Sequence, residues 1–342
     1  MTPTPPPPPP PPLHQGVSII GSGSALPTEK MTNADLEECM ETSDDWIVQR
    51  TGIRERRKIT GDESTTSLAT EAVRVALDDA GIAADELDLV LAATMTPDMP
   101  TPGVAPLVAS NLGCGLIPAW DMNAACSGFV YALNVASDLI RCGSASTVAV
   151  VGADTLTRHV DYSTYGRGAA ILFGDAASTV ILRRSENASL GRLAQAMHSD
   201  GSGAKHLAVP CLESHFHNPD DFNERKLNRV HMNGQAVFKF AVKKFPEVIE
   251  ETLGAAGLTA TDVDHFVCHQ ANARILESAR ERFGLPEEKL LVNIDRYGNT
   301  VAASCPLLFD EQRRAGQIKP GQRVMFIAFG AGLTWGASLW QL

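Results

Sequence analysis

The residue best suited to covalent chemistry in this chain is Cys126. It lies in the segment DMNAACSGF (residues 121–129), where a predicted strand ends, small residues permit a tight turn, and a helix is predicted to continue to about Arg141. Free N–H groups and the dipole at a helix N-terminus favour a thiolate, so we expect the pKa of this cysteine to be lowered. A lone cysteine is most often a buried structural residue, but this turn favours a nucleophile.

A cysteine nucleophile needs polar partners, and the second half of the sequence offers two. His269 follows a predicted strand at 264–268, and Asn299 lies in YGNT (residues 297–300) before a predicted helix. The segment FGAGLTWG (residues 329–336) predicts a glycine turn after a strand, with backbone amides that could face a developing oxyanion. Taken singly, His269 could be a core histidine and Asn299 a helix N-cap.

The elements that must position these residues follow a repeated pattern. From Val17 onward, short apolar strands alternate with longer amphipathic helices, which predicts an α/β fold with helices on both faces of a sheet. Residues 76–91 resemble residues 252–267, and residues 146–153 resemble residues 322–331 at a similar offset. The pattern predicts an internal duplication with halves that meet near residue 185. Such a duplication would bring His269 and Asn299 close to Cys126.

The composition limits the classes of function. The chain has 342 residues and a net charge of −11, which argues against non-specific binding to nucleic acid or to anionic membranes. Seven widely spaced cysteines without a CxxC pair predict neither a disulfide framework nor a metal site. No apolar stretch approaches the roughly 18–20 residues of a membrane helix, and the N-terminus lacks the pattern of a signal peptide, so we expect a cytoplasmic protein.

Two segments are predicted to lie outside the repeated elements. Residues 1–15 contain the unbroken run Pro5–Pro12, which cannot form helix or sheet and predicts a disordered, proline-rich tail. Residues 185–232 are polar and rich in histidine, and we expect an irregular connection there because the histidine spacing fits no common metal motif. The remainder divides into an N-terminal half, 16–184, with the cysteine, and a C-terminal half, 233–342, with the histidine and asparagine.

Six segments match motifs of one known family. They are TSDDWIVQRTGI (42–53), NAACSGF (123–129), RGAAILFGD (167–175), CHQANARI (268–275), YGNTVAAS (297–304) and FGAGLTWG (329–336). In this order they closely resemble β-ketoacyl-[acyl-carrier-protein] synthase III, of the thiolase superfamily. The resemblance covers about Val17 to Leu342. It implies a thiolase-like internal duplication, in which two similar βαβαβαββ halves form a five-layered αβαβα arrangement, and a homodimer.

The resemblance also implies a reaction. Acetyl-CoA would acylate Cys126, with the backbone N–H groups of Cys126 and Ala331 forming the oxyanion hole. His269 and Asn299 would then bind the thioester carbonyl of malonyl-[acyl-carrier protein] as carbon dioxide leaves. The product would be acetoacetyl-[acyl-carrier protein], the first condensation product of type II fatty acid synthesis. No cofactor is implied, because the CoA thioester is a substrate.

Further site residues follow from the same motifs. The resemblance implies that CoA contacts five residues, with its adenine between the first and third: Trp46, Arg50, Arg167, Phe238 and Asn272. Lys239 and Arg274 would form a basic patch for the acidic carrier protein. Thr101 would reach the acyl pocket of the partner subunit, and Phe329 would lie beside the nucleophile and exclude water. Ala331 replaces a common glycine and therefore requires a φ that a Cβ can tolerate.

Three other interpretations remain open from the residues. A related acyltransferase of secondary metabolism would use the same cysteine, histidine and asparagine with a different acyl donor or acceptor. A papain-type hydrolase would also carry these three residue types in this chain order, although the duplicated halves favour a condensing enzyme. A scaffold recruited through Pro5–Pro12 has only the tail in its favour.

Overall fold

The computed structural model describes residues 15–215 and 226–342, so the proline run Pro5–Pro12 lies outside the described residues. The strands are β1 Gly16–Ala25, β2 Glu29–Thr32, β3 Glu55–Lys58, β4 Leu89–Ala93, β5 Ala119–Met122, β6 Thr147–Asp154, β7 Ala176–Ser185, β8 Gly191–Ser199, β9 Leu207–Ala208, β10 His231–Met232, β11 His265–Cys268, β12 Arg323–Gly330 and β13 Thr334–Gln341. The helices are α1 Asn33–Glu37, α2 Asp44–Thr51, α3 Thr65–Ala80, α4 Val104–Leu112, α5 Gly128–Arg141, α6 Arg167–Ala170, α7 Gly234–Ala256, α8 Ala273–Phe283, α9 Ile294–Tyr297 and α10 Ser304–Arg314.

Two sheets carry the same strand order. In the first, β1-β7-β6-β4-β5, strand β4 is parallel to β6 and β5, and β7 is antiparallel to β6 and β1. In the second, β8-β13-β12-β11, strand β11 is parallel to β12, and β13 is antiparallel to β12 and β8. A single parallel bridge between Phe266 and Leu290 takes the place beside β11 that β5 has beside β4. The match confirms the predicted duplication.

The layers follow from alternating side chains in the central strands. In β6, Val148 and Val150 pack with α5, α10 and the second sheet, whereas Ala149 and Val151 pack on the other face with α3 and α4. Strand β12 repeats this pattern, because Phe326 faces α5 and α10 while Ile327 faces α7 and α8. Since successive side chains of a strand point to opposite faces, each sheet is covered on both sides. The five-layered αβαβα arrangement is confirmed.

The second half begins earlier in the chain than the sequence predicts. Residues 185–232 were expected to be irregular, but Gly191–Ser199 forms β8, the outer strand of the second sheet. Its sequence, GRLAQAMHS, mixes polar residues into the strand because β8 lies at the edge and is only partly buried. Within the same range, β9 and β10 form a short antiparallel pair. The C-terminal half of the fold therefore includes β8 and does not begin at residue 233 as the sequence predicts.

Some features are absent from the part of the chain that the structure describes. In residues 15–215 and 226–342, no helix combines the length and the apolar character that crossing a membrane requires. Across the same two ranges, no three His, Cys, Asp or Glu side chains are grouped so that they could hold a metal ion.

Candidate active site

One cavity of about 500 Å³ reaches all three predicted catalytic residues, Cys126, His269 and Asn299. Its walls come from both halves: α2 and the turn of the nucleophile in the first, and α7 and α8 in the second. A second, smaller cavity of about 40 Å³ also touches Cys126 and is walled mainly by apolar residues. The nucleophile therefore lies where a large cavity and a small apolar one meet.

Cys126 lies in a 3₁₀ turn, Ala125–Ser127, immediately before α5. The turn is sharp because Ala125 adopts φ 47°, a left-handed conformation that is unusual for a residue with a side chain. Two hydrogen bonds stabilise it: the Ala125 amide donates to Asn123 Oδ1 at 3.2 Å, and the Ser127 amide donates to the Ala124 carbonyl at 3.1 Å. Strained conformations of this kind concentrate at functional sites.

The pKa of the Cys126 thiol differs from the prediction. The helix N-terminus was expected to lower it, but burial raises the pKa above its ordinary value, and the nearby Asp154 carboxylate raises it further. The side chain is only 8% exposed, so little water is available to solvate a thiolate. The resting nucleophile is therefore a thiol, and the proton must leave when it attacks.

The backbone around Cys126 can accommodate an oxyanion. A Cβ on Gly330 would lie only 2.7 Å from the Cys126 amide nitrogen, so glycine at this position keeps the amide accessible. Ala331 also walls the small cavity, and its φ is not positive, since the described non-glycine residues with positive φ are Ala125, Asn228 and Val301. Among the described residues, neither the Cys126 nor the Ala331 amide donates a hydrogen bond to another residue. Two free donors beside the nucleophile fit the predicted oxyanion hole.

His269 is held as a neutral imidazole. Its backbone amide donates to the Ile327 carbonyl at 2.7 Å, which fixes the residue to the middle of β12. The ring packs edge-to-face on Phe329, with 5.5 Å between centroids, and burial lowers its pKa to about 3. Within the described residues, the buried Nδ1 atom has no hydrogen-bond partner. A neutral ring carries one N–H, so it can donate to a substrate oxygen without carrying a positive charge.

Asn299 is oriented by the turn that follows it. Its backbone donates to the Leu172 carbonyl at 2.8 Å, and its Oδ1 atom accepts from the Val301 amide at 2.9 Å. Val301 adopts φ 53°, so this turn repeats the conformation of the nucleophile turn. Because Oδ1 is occupied, the Nδ2 group remains as the donor for a ligand. Asn299 is 5% exposed, so one side chain both holds the start of the 3₁₀ helix Val301–Ala303 and keeps a buried donor.

Four of the five predicted CoA residues line the large cavity. These four are Trp46, Arg50, Phe238 and Asn272. The Asn272 side chain caps α8 and donates to the Arg50 carbonyl at 3.0 Å, which ties α8 to α2.

The Trp46 ring is covered by two cations. The guanidinium carbons of Arg50 and Arg167 lie 4.4 Å and 4.9 Å from its centroid. Arg167 does not line the cavity, and its guanidinium donates to the Glu41 carbonyl. An adenine between Trp46 and Arg167 would have to displace this guanidinium, because the two groups are already in contact.

The remaining predicted residues lie at the rim or beyond it. Lys239 is exposed on α7, and Arg274 is exposed at the cavity mouth, 5.5 Å above the Phe238 ring. Phe329 is 3% exposed and lines the large cavity, as expected for a residue beside the nucleophile. Thr101 is exposed and lines neither of the two cavities that touch Cys126. Its predicted contact with a partner subunit stays a prediction.

Sequence reasoning missed the apolar wall of the small cavity. Leu207, Val209 and Val230 line it, and all three come from the segment that was expected to be an irregular connection. The signal was present as the apolar run Leu207-Ala208-Val209 in polar surroundings. It also missed Asp154, which is fully buried beside the nucleophile.

A thiolase-like duplication with a cysteine, a histidine and an asparagine on one cavity defines a condensing acyltransferase. Residues 120–201 match the family model for 3-oxoacyl-[acyl-carrier-protein] synthase III, and residues 253–342 match the model for its C-terminal region. The chain is 45% identical to β-ketoacyl-[acyl-carrier-protein] synthase III of Xanthomonas campestris, over 94% of this chain and 97% of that protein. The chain therefore belongs to the β-ketoacyl-[acyl-carrier-protein] synthase III family.

Solved structures agree with this assignment. The 3-oxoacyl-[acyl-carrier-protein] synthase III of Aquifex aeolicus superposes with a TM-score of 0.88 at 40% identity, covering 96% of this chain and all of that one. A priming β-ketosynthase from the R1128 polyketide pathway superposes with a TM-score of 0.87 at 32% identity, covering 96% and 97%. The predicted family and acyltransferase class are confirmed, and with them the assignment to the condensation that initiates fatty acid synthesis.

Proposed function

We propose that this protein condenses acetyl-CoA with malonyl-[acyl-carrier protein], giving acetoacetyl-[acyl-carrier protein], carbon dioxide and CoA. The observation that carries the proposal is the position of Cys126, which meets two free backbone amides and a cavity of about 40 Å³ beside a cavity of about 500 Å³. The small cavity suits a short acyl group. The large one suits the pantetheine arm that delivers it.

The first half-reaction transfers the acyl group to Cys126. The sulfur attacks the thioester carbonyl, and the amides of Cys126 and Ala331 donate to the oxygen as it becomes negative. The carbon–sulfur bond to CoA then breaks, and the proton of the Cys126 thiol leaves with CoA. Because Cys126 is buried, water has little access to hydrolyse the acyl-cysteine.

The second half-reaction uses His269 and Asn299. The malonyl carboxylate leaves as carbon dioxide, and its bonding electrons form an enolate on the thioester carbonyl. Neutral N–H donors from His269 and Asn299 Nδ2 stabilise that oxygen. The enolate carbon attacks the acyl-cysteine carbonyl, the sulfur of Cys126 leaves, and it recovers a proton from solvent.

The size of the small cavity supports acetyl as the primer. A cavity needs about 10–15 Å³ to hold one water molecule, so a cavity of about 40 Å³ holds only a few heavy atoms. Its walls include Met95, Leu156 and Val209, which are apolar and offer no partner to a polar acyl group. A longer or branched acyl chain would have to displace these side chains, which close packing opposes.

The proposed partners follow from the rim of the large cavity. Arg274 at the mouth, with Lys239 on α7, would meet an acidic carrier protein, and Trp46 with Arg50 and Arg167 would bind the nucleotide of CoA. We propose a homodimer in which the loop with Thr101 reaches the partner. All seven cysteines are free, which supports a reducing cytoplasm.

Intact mass spectrometry tests the function directly. After incubation with acetyl-CoA, the protein should gain one acetyl group, and malonyl-[acyl-carrier protein] should discharge it to an acetoacetyl product. Butyryl- and benzoyl-CoA should load poorly. Val209→Ala, which enlarges the small cavity, should raise butyryl loading about tenfold or more. Val237→Ala, which changes only the wall of the large cavity, should not.

The same experiment separates a second candidate. The likeness to the priming β-ketosynthase of a polyketide pathway favours, as the second candidate, a priming enzyme of polyketide synthesis. Preferential loading of butyryl or benzoyl groups by the unmodified protein would support that candidate and contradict acetyl priming. If no acyl-CoA loads Cys126, the proposed function itself is wrong.

A further inference from the structure

A buried carboxylate without a cation lies beside the nucleophile. Asp154 ends β6 and is 0% exposed. No salt bridge to it is present among the described residues, and five hydrogen bonds surround it instead. Removing such a group from water is costly, so its retention needs a reason. The reaction described above does not use it.

The two oxygens of Asp154 hold two different parts of the site. Oδ2 accepts from the Ala302 amide at 3.0 Å. Ala302 follows Val301, whose own amide donates to Asn299 Oδ1. Asp154 therefore fixes the turn that orients the Asn299 donor.

The other oxygen holds a wall of the acyl cavity. Oδ1 accepts from the Met95 amide at 2.9 Å and from the Thr96 amide at 3.2 Å. The hydroxyls of Thr94 and Thr96 donate to the same oxygen at 3.2 Å and 2.9 Å. Met95 lines the cavity of about 40 Å³ next to Cys126. A single carboxylate thus joins the acyl cavity to the turn of Asn299.

The duplication shows why this place calls for a carboxylate. Asp154 is the last residue of β6, and Gly330 is the last residue of the equivalent strand β12. Ala302 is the middle residue of the 3₁₀ turn 301–303, just as Cys126 is the middle residue of the 3₁₀ turn 125–127. At the catalytic turn the strand ends in glycine, and the Cys126 amide stays free. At the duplicated turn the strand ends in Asp154, and the Ala302 amide is occupied. The Asp154 carboxylate thus occupies the Ala302 amide, whereas the equivalent amide of Cys126 stays available to an oxyanion.

We propose that Asp154 is a positioning residue of the condensation, which orients Asn299 through the Ala302 amide and fixes the Met95 wall of the acyl cavity. The inference rests on the proposed function, because Asn299 has its role only in the malonyl half-reaction. Only a carboxylate accepts hydrogen bonds on both oxygens. An asparagine in its place keeps one oxygen, which the four donors around Oδ1 favour, so its N–H group would face the Ala302 amide while the Met95 wall stays fixed.

Asp154→Asn tests the proposal because it keeps the shape and removes one acceptor. Decarboxylation of malonyl-[acyl-carrier protein] should fall about 10- to 100-fold, since small misplacements of a catalytic group cost about that much. Acetyl loading of Cys126 should fall much less. Asp310→Asn is the matched control, because Asp310 is also buried and accepts from two serines and an arginine remote from the cavity. It should lower thermal stability without changing the ratio of the two half-reactions.

A second measurement tests the effect of the Asp154 charge on the nucleophile, separately from the positioning role. The extent of Cys126 alkylation by iodoacetamide, measured by peptide mass spectrometry at several pH values, reports the ionisation of its thiol. The groups that face this thiol are Asp154, Cys305 and His269. In Asp154→Asn, the alkylation midpoint should move to lower pH, because a negative charge beside the thiol is lost.

The outcomes separate the two proposals. If wild-type protein neither loads acetyl nor decarboxylates malonyl thioester, the proposed function fails. If the wild-type protein carries out both reactions, the positioning role is overturned when Asp154→Asn slows the two half-reactions equally or slows neither of them.

Discussion

The two halves of this protein contain the same turn and use it differently. In the first half, Asn123 Oδ1 accepts from the amide of Ala125 at φ 47°, and Cys126 follows. In the second, Asn299 Oδ1 accepts from the amide of Val301 at φ 53°, and Ala302 follows. One turn presents a nucleophile with a free amide, and the other presents a side-chain donor with its own amide occupied.

The residue opposite each turn explains how one backbone conformation supplies two kinds of catalysis. The nucleophile turn is opposite Gly330, so space remains for an oxyanion at its amide. The donor turn is opposite Asp154, so its backbone is fixed and only the Asn299 side chain can act. Acylation should therefore depend on the first turn and decarboxylation on the second. Substitutions at matching positions of the two turns test that division.

Cys126→Ala should have the largest effect. Without the sulfur no acyl-enzyme can form, so acetyl loading and condensation should fall at least about a thousandfold. Decarboxylation of malonyl-[acyl-carrier protein] should persist, because His269 and Asn299 remain. Intact mass after acetyl-CoA and release of carbon dioxide measure the two activities. Cys305→Ala, a buried thiol near the first, is the control and should still load acetyl.

Asn299→Asp should produce the opposite pattern. The aspartate can still accept from the Val301 amide, so the turn is kept, but the Nδ2 donor becomes a negative oxygen facing the enolate. Decarboxylation should fall about 10²- to 10³-fold, the usual cost of losing one oxyanion donor.

The division predicts a different result for the counterpart. Asn123 is exposed and its bond in the first turn, at 3.2 Å, is longer than that of Asn299, so Asn123→Asp should slow acylation by less than about tenfold and leave decarboxylation near that of wild type. Acetyl loading and carbon dioxide release, measured in both variants, test whether each turn controls its own half-reaction. Equal losses of both activities in either variant would mean that the two turns do not act separately.

Gly330→Ala should close the free amide of the nucleophile turn. Its Cβ would meet the Cys126 nitrogen at 2.7 Å, so acetyl loading should drop about 100-fold. Gly336→Ala is a matched control, because its Cβ would meet the Ala196 carbonyl at 2.8 Å on β8. Single-turnover loading should distinguish them. Similar losses in both variants would point to general destabilisation instead of a blocked oxyanion hole.

The features that the sequence predicted are those that depend on local sequence signals. The small residues before α5 placed Cys126 correctly, and the repeated segments predicted the duplication that brings His269 and Asn299 to the same cavity. These predictions succeeded because turn chemistry and apolar periodicity are local properties.

What the sequence could not supply depends on long-range packing. The raised pKa of the Cys126 thiol comes from burial by both halves, and a helix N-terminus alone predicted the opposite. The contact of Arg167 with Trp46 and the five bonds to Asp154 join residues far apart in the chain. Strand β8 was missed because an edge strand with polar residues lacks a clear alternation.

The smallest predicted effect concerns pH and the neutral state of His269. Burial lowers its pKa to about 3, whereas in the unfolded chain the ring takes up a proton near 6.5. Between these values the unfolded state binds the extra proton, so the free energy of unfolding should decrease as the pH falls from 6.5 toward 4. Urea unfolding at several pH values should show less of this loss in His269→Gln, while Asp154, whose raised pKa acts in the opposite direction, is common to both proteins. If both proteins lose the same stability on acidification, His269 is not held neutral, and its role as an uncharged donor to the enolate is wrong.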